Sequence, residues 1–171
     1  MNFFELFALP VQFELDVADL ETRYFTVQRT CHPDRLVGRP AAERQHAILR
    51  SMQANEAFEA LKTPLTRARH LLALMGVHVG SEKDSVKPSP QLLMDIMEWR
   101  ETLEETQNAN ECTALQGKNN AYLSSLENEL AQAFAAQDFH RAAQLTIAFG
   151  YHQKIAEEIR LKSLSYIRPR T

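Results

Sequence analysis

The stretch Thr30-Cys31-His32-Pro33-Asp34-Arg35 sets a thiol, an imidazole and a carboxylate side by side. A cysteine and a histidine can act as nucleophile and base, but only with their side chains in hydrogen-bond reach and an oxyanion site close by. Consecutive residues at a helix end diverge, and no donor cluster accompanies them, so the spacing speaks against catalysis here. His46, His70, His78, His140 and His152 show no H-E-x-x-H or similar ligand spacing, and Cys31 and Cys112 form no C-x-x-C pair. Neither a metal site nor a cofactor is expected, nor a disulfide framework. What remains for these residue types is recognition.

Asp34 is the only acid among residues 22 to 40, and Arg23, Arg29, Arg35 and Arg39 surround it. A lone carboxylate held beside a basic surface suits a partner that is mainly acidic yet offers one cation. As a bare tripeptide, His32-Pro33-Asp34 reads equally well as a helix-ending turn.

A second group lies further on. At about 100° per residue, Leu92, Ile96, Trp99 and Leu103 share one stripe of a helix, the natural core side. Leu93, Met94 and Met97 project elsewhere, alongside Glu98, Glu101 and Glu105. Leaving such apolar side chains in water forgoes roughly 1.5 to 3 kcal/mol each. Either they pack against another part of the chain or they meet a partner. Methionine and leucine with a carboxylate fringe suit an adaptable groove that carries basic residues.

Helices must position both groups. Asn2 with Glu5 reads as a capped single turn with Phe3, Phe4, Leu6, Phe7 and Leu9 as packing groups before Pro10. Asp16 caps a second helix with Leu20, Tyr24, Val27 and Cys31 on its core face. His32 must leave that helix because it precedes proline, so the tripeptide falls in a loop. Ala47, Ser51, Ala54, Phe58 and Leu61 mark the buried face of a third helix, which makes a helix hairpin with the second. Thr63-Pro64 opens a fourth, ended by Gly76. Residues 77–89 lack apolar periodicity and read as a linker between a unit over 1–76 and one over 90–171. In the second unit Ser89-Pro90 opens a helix, Gly117 is expected to mark a turn, and Asp138 caps a last helix carrying Leu145, Phe149, Ala156 and Ile159. Short connections imply an antiparallel three-helix bundle.

Composition agrees with an all-α protein, since the 171 residues include only five glycines and are rich in Ala, Leu, Glu and Gln. A net charge of −3 and a pI near 6.1 argue against coating nucleic acid or anionic membrane. A helical nucleic-acid or regulatory protein using the four arginines against phosphate is an alternative, disfavoured by the acidic second unit. The N-terminal MNFFELFALP has no basic n-region and no segment reaches about 18 apolar residues, so a cytoplasmic chain without a membrane span is expected.

The N-terminal turn, the helix ending in His32-Pro33-Asp34, the segment Asn55-Glu56-Ala57-Phe58-Glu59-Ala60-Leu61, and Pro64-Leu65-Thr66-Arg67-Ala68 with Leu71-Leu72 together resemble the HscB family. That family comprises J-domain co-chaperones of iron–sulfur cluster biogenesis, and the likeness runs along essentially the whole chain. It implies a J-domain over 1–76 and a scaffold-binding bundle over 90–171. It implies that His32, Pro33 and Asp34 trigger ATP hydrolysis in a DnaK-type chaperone, HscA in the resembling bacterial system, while Arg23, Arg29 and Arg35 dock on its ATPase. Leu93, Met94, Met97, Glu98, Glu101 and Glu105 match the face that binds an IscU-type scaffold, and Tyr151 stands where the family places an aromatic. The implied protein is a bacterial-type monomer, not an enzyme itself but an activator of a partner's ATPase; a general J-protein with another client is the alternative. Two departures stand out: Cys31 where such proteins often have an aromatic, and Arg35 where they often have lysine. Altered affinity is the expected consequence.

Overall fold

Asn2 Oδ1 accepts the Phe4 N–H at 3.1 Å while its amide donates to Glu5 Oε1 at 3.0 Å, and this cap starts the first helix, α1 (Phe3–Leu6). The computed structural model describes residues 2–79 and 86–167. Asp16 Oδ1 accepts from Ala18 and Asp19 N–H and opens α2 (Val17–Thr30). A 3-10 turn over Pro33–Leu36 leads to α3 (Ala41–Leu61), and Thr63 Oγ1 takes the Thr66 N–H at the start of α4 (Pro64–Leu74). Gly76 has φ +76°, the left-handed conformation expected of a residue that ends a helix. The chain divides into two compact units, Met1–Leu74 and Met75–Thr171.

In the first unit α2 and α3 form the hairpin. Ala47, Ala54, Ala57 and Leu61 are buried on α3, and Leu20 and Cys31 on α2. Alanines let two helices approach closely, and polar side chains bridge them beside the apolar contacts. Tyr24 stacks on Phe58 at 4.5 Å and donates its hydroxyl to Asn55 Oδ1 at 2.9 Å. Gln28 Nε2 shares that Asn55 oxygen, at 2.7 Å, and Ser51 Oγ donates to Gln28 Oε1 at 2.7 Å. Such a network has one register in which every group is satisfied. Arg67 is buried and donates to the carbonyls of Leu61 and Phe13 at 2.9 and 2.8 Å, fastening the loop before α2 to the α3–α4 corner.

The second unit contains α5 (Pro90–Glu105), α6 (Ala109–Ala135) and α7 (Phe139–Ile167), with α6 and α7 antiparallel along their length and α5 laid on α7. Ile96 and Leu103 are buried with Cys112, Leu115, Ile155 and Ile159, and Leu92, Trp99 and Tyr151 pack against them, so the core stripe of α5 is the one its periodicity predicts. Lys162 Nζ donates to the Leu103 and Glu104 carbonyls at 2.6 and 2.8 Å, placing a cation at the negative end of α5. Asp138 Oδ1 accepts the Arg141 N–H at 3.0 Å, as expected of a cap.

Gly117 is not a turn: it lies inside α6. The reversal comes earlier, where Asn108 Oδ1 accepts the Glu111 N–H at 3.0 Å and Glu111 Oε2 reaches back to the Gln107 N–H at 2.8 Å. That reciprocal arrangement satisfies one donor of the helix start and the N–H just before its cap, and it fixes the turn there, while a glycine inside the helix costs only roughly 1 kcal/mol. Of the expected linker 77–89, residues 80–85 lie outside the described residues, as do 168–171 of the last unit. The parts on either side are not all free: Val79 is buried, and the Lys87 carbonyl accepts from Gln144 Nε2 at 3.1 Å.

Candidate functional site

The loop after α2 takes its shape from three consecutive residues. Cys31, buried, ends the helix with its N–H on the carbonyls of Val27 and Gln28. His32 then turns extended, φ −65° and ψ 136°, as a residue before proline must. Pro33 opens the 3-10 turn, where its missing N–H is no loss. His32 Nδ1 accepts the Asp34 N–H at 3.3 Å, and the His32 carbonyl accepts from Arg35 N–H at 3.0 Å. The Asp34 carboxylate is left pointing into solvent with its side chain 89% exposed, and the His32 imidazole lies 3.6 Å from it. By accepting the Asp34 N–H, Nδ1 orients the backbone of the turn. The result is a fixed, unshielded negative charge.

The arginines around it differ in what they do. Arg29 is exposed, its contact on the Thr26 hydroxyl being 3.5 Å. Arg35 is exposed as well, and Arg39 sits 3.8 Å from Glu43. Arg23 is half-buried: Nε donates to Asp19 Oδ2 at 2.9 Å, and Nη1 to the carbonyls of Phe7 and Ala8 at 2.9 and 3.0 Å. It holds the end of α1 against α2, a structural role that its place in the sequence did not reveal.

On α5, Leu93, Met94 and Met97 are 41%, 58% and 60% exposed, and Glu98, Glu101 and Glu105 are exposed beside them. None of the three acids forms an ion pair among the described residues. These side chains therefore take no part in the core of the second unit. Tyr151, on α7, is half-buried against the α5 core, with Lys154 Nζ 5.8 Å from its ring centre. Part of the ring stays accessible.

Two features escaped the sequence reading. Ile48, Leu49 and Met52 are exposed on the outer side of α3, opposite the alanine face. His152 is buried within the second unit, its Nδ1 2.8 Å from Asn119 Oδ1, while Asn119 Nδ2 donates to the His152 carbonyl at 3.0 Å. Periodic stripes mark apolar residues, and a histidine inside a core carries no such signature. Among the described residues no three His, Cys, Asp or Glu side chains come together as a metal site, and no helix is long and apolar enough to cross a membrane.

The α2–α3 hairpin with its His32-Pro33-Asp34 turn, followed by a helical bundle, is an all-helical architecture shared with co-chaperones of known structure. Residues 88–160 match the family model of the HSCB C-terminal oligomerisation domain. The HscB homologue co-chaperone of Shewanella loihica is 33% identical over 93% of this chain and 95% of its own length. That of Shewanella amazonensis is 42% identical over 65% of this chain and 63% of its own. The solved structure of the chaperone HscB from Vibrio cholerae superposes with a TM-score of 0.84 at 31% identity, covering 96% of this chain and 99% of that one. The chain belongs to the HscB family of co-chaperones.

Proposed function

We propose that this co-chaperone is a two-site adaptor that brings an IscU-type iron–sulfur scaffold to an HscA-type chaperone and stimulates the chaperone's ATP hydrolysis. The observation that carries the reading is the acid-rimmed apolar face of α5, left in solvent by a helix whose opposite stripe already fills the core. A contiguous exposed apolar patch with a polar rim marks a surface that a partner covers. The scaffold binds through Leu93, Met94 and Met97, with Glu98, Glu101 and Glu105 meeting basic residues at the rim and Tyr151 extending the contact. The chaperone binds through Asp34, Arg29 and Arg35, with His32 and Pro33 fixing the direction of the carboxylate and Arg23 holding the frame.

Stimulation needs no catalytic group on this chain. Binding energy spent only on the hydrolysis-competent state of the ATPase shifts its population toward that state. Tethering the scaffold to the same molecule raises its effective concentration at the chaperone's substrate site. ATP and the cluster are the partners' chemistry, and the setting is the bacterial cytoplasm.

The test is the single-turnover ATPase rate of an HscA-type chaperone with this protein, with and without the scaffold, comparing wild type with Asp34→Asn. Stimulation that requires Asp34 and grows with the scaffold is the expected result. Stimulation that ignores the scaffold would leave a general J-protein with a different client, and none at all would reduce the turn at His32 to architecture.

A further inference from the structure

Next to the acidic rim of α5 a cleft of about 410 Å³ opens among α5, α6 and α7, walled by Asp95, Glu98, Trp99, Lys118, Tyr122 and His152. Its acceptors are unusually well defined. The amide nitrogen of Asn119 is committed to the His152 carbonyl, so its oxygen accepts and His152 Nδ1 must carry the proton. Nε2 is then a lone pair. It has no hydrogen-bond partner among the described residues, although the residue is only 1% exposed and forms part of the cleft wall. Burial lowers the pKa of His152, with the Asp95 charge acting in the opposite direction, so the ring is neutral and Nε2 remains an acceptor.

The carboxylates beside it are equally unspent. Asp95 Oδ1 accepts only from Gln91 Nε2, at 2.9 Å, and neither Asp95 nor Glu98 is in an ion pair among the described residues. Tyr122 has a raised pKa, from burial first and then from Asp95 and Glu129, so the field of Asp95 reaches the Tyr122 side of the cleft. Trp99 meets His152 edge-on at 5.3 Å and Tyr122 lies 4.4 Å from the same ring. Two carboxylates without an ion pair, a lone pair at the cleft wall and aromatic walls make a receptor for a cation that carries N–H donors. A metal ion is a poorer match, because no three ligating side chains converge among the described residues.

We infer that this cleft receives a lysine or arginine side chain of the protein that docks on the outer face of α5. Glu98 belongs to both, so cleft and face are continuous. The inference rests on the reading of α5 as a docking face and adds to it the chemical identity of an anchor residue on the partner. Lys118, the one cation on the wall, opposes the incoming charge, so the two signs of wall residue have opposite effects.

Trp99 is the only tryptophan and so reports on the cleft directly. N-acetyl-arginine amide, N-acetyl-lysine amide and the neutral N-acetyl-citrulline amide are titrated into the full chain while its emission is followed. One or both cations should give a saturable response and citrulline none. The response should weaken roughly tenfold in Asp95→Asn and strengthen about twofold in Lys118→Gln. The ¹⁵N resonance of His152 Nε2 should move on saturation. A citrulline response equal to that of arginine, or one indifferent to Asp95→Asn in a protein of unchanged helicity, would overturn the inference. The same variants are then assayed for binding the scaffold protein. If wild type binds and replacing Leu93, Met94 and Met97 by alanine abolishes binding while Asp95→Asn does not weaken it, the docking face stands and the anchor falls. If the scaffold fails to bind wild type, the docking reading falls and with it the assignment of the cation to a docked partner.

Discussion

The guanidinium of Arg23 donates to the carbonyl of Phe7 at 2.9 Å, so a residue on the basic helix before the His32-Pro33-Asp34 turn also fastens the N-terminal turn. Its Nε bond to Asp19 and second carbonyl contact at Ala8 complete a clamp that Arg29, six residues on, does not share.

That difference separates the two arginines experimentally. Arg23→Ala removes hydrogen bonds to main-chain oxygens that are partly shielded from water and should cost about 1 to 3 kcal/mol of stability. Arg29→Ala should change stability by no more than about 0.5 kcal/mol, as surface substitutions do. Chemical denaturation of each variant measures the first effect, and chaperone stimulation assayed well below the midpoint measures docking. A stable Arg23→Ala protein would deny the clamp.

The α5 face offers a complementary contrast. Replacing Leu93, Met94 and Met97 together by alanine should weaken scaffold binding at least tenfold, because it removes most of the apolar surface the contact would bury. The helix should survive, since its core groups Ile96 and Leu103 are untouched and alanine is the better helix former. Calorimetric titration against the scaffold and circular dichroism together decide this. Loss of helicity in step with binding would mean that the three residues hold the bundle.

Buried His152 makes the second unit acid-sensitive. Its pKa in the folded chain lies below the ordinary 6.5, chiefly because burial disfavours the imidazolium. Between these two values the unfolded chain binds the extra proton and the folded one does not, so stability falls as the pH drops through about 6.5 and levels off once the folded pKa is passed. Denaturation followed by Trp99, which packs against the ring, should show a lower midpoint at pH 5.5 than at pH 7.5. Replacing His152 and Asn119 together by leucine should flatten this part of the pH dependence, whereas Asn119→Ala alone leaves His152 polar atoms unpaired and should cost about 1 to 3 kcal/mol.

What could be read from sequence was whatever repeats along one helix or sits at its end. The caps at Asn2, Asp16, Thr63, Ser89 and Asp138 and the core stripe of α5 are local patterns, and the strict requirement of proline fixed His32 as the exit from α2. The unpartnered α5 face followed from the same periodicity, read for what it left over. Relations between helices were not legible: the Tyr24–Asn55–Gln28 network, the Arg23 clamp, the Lys162 cap on α5 and the Asn119–His152 pair each join residues that no spacing rule connects. The apolar outer side of α3 lies opposite its alanine stripe, where periodicity assigns no core. At the α5–α6 turn the Asn108–Glu111 cap, and not Gly117, sets the reversal.

Glycine therefore supplies a final discrimination. A Cβ at Gly117 would meet no atom within 4 Å, and the residue has ordinary helical backbone inside α6. Gly117→Ala should raise the stability of the second unit by roughly 0.5 to 1 kcal/mol by narrowing the unfolded ensemble. Gly76 also has open space around its Cβ position but stands at φ +76°, where an L side chain is strained whatever the room. Gly76→Ala should thus destabilise by about 1 kcal/mol or more. Denaturant midpoints of the two variants, measured side by side, carry opposite signs if α6 runs unbroken through residue 117, and the same sign if a turn lies there.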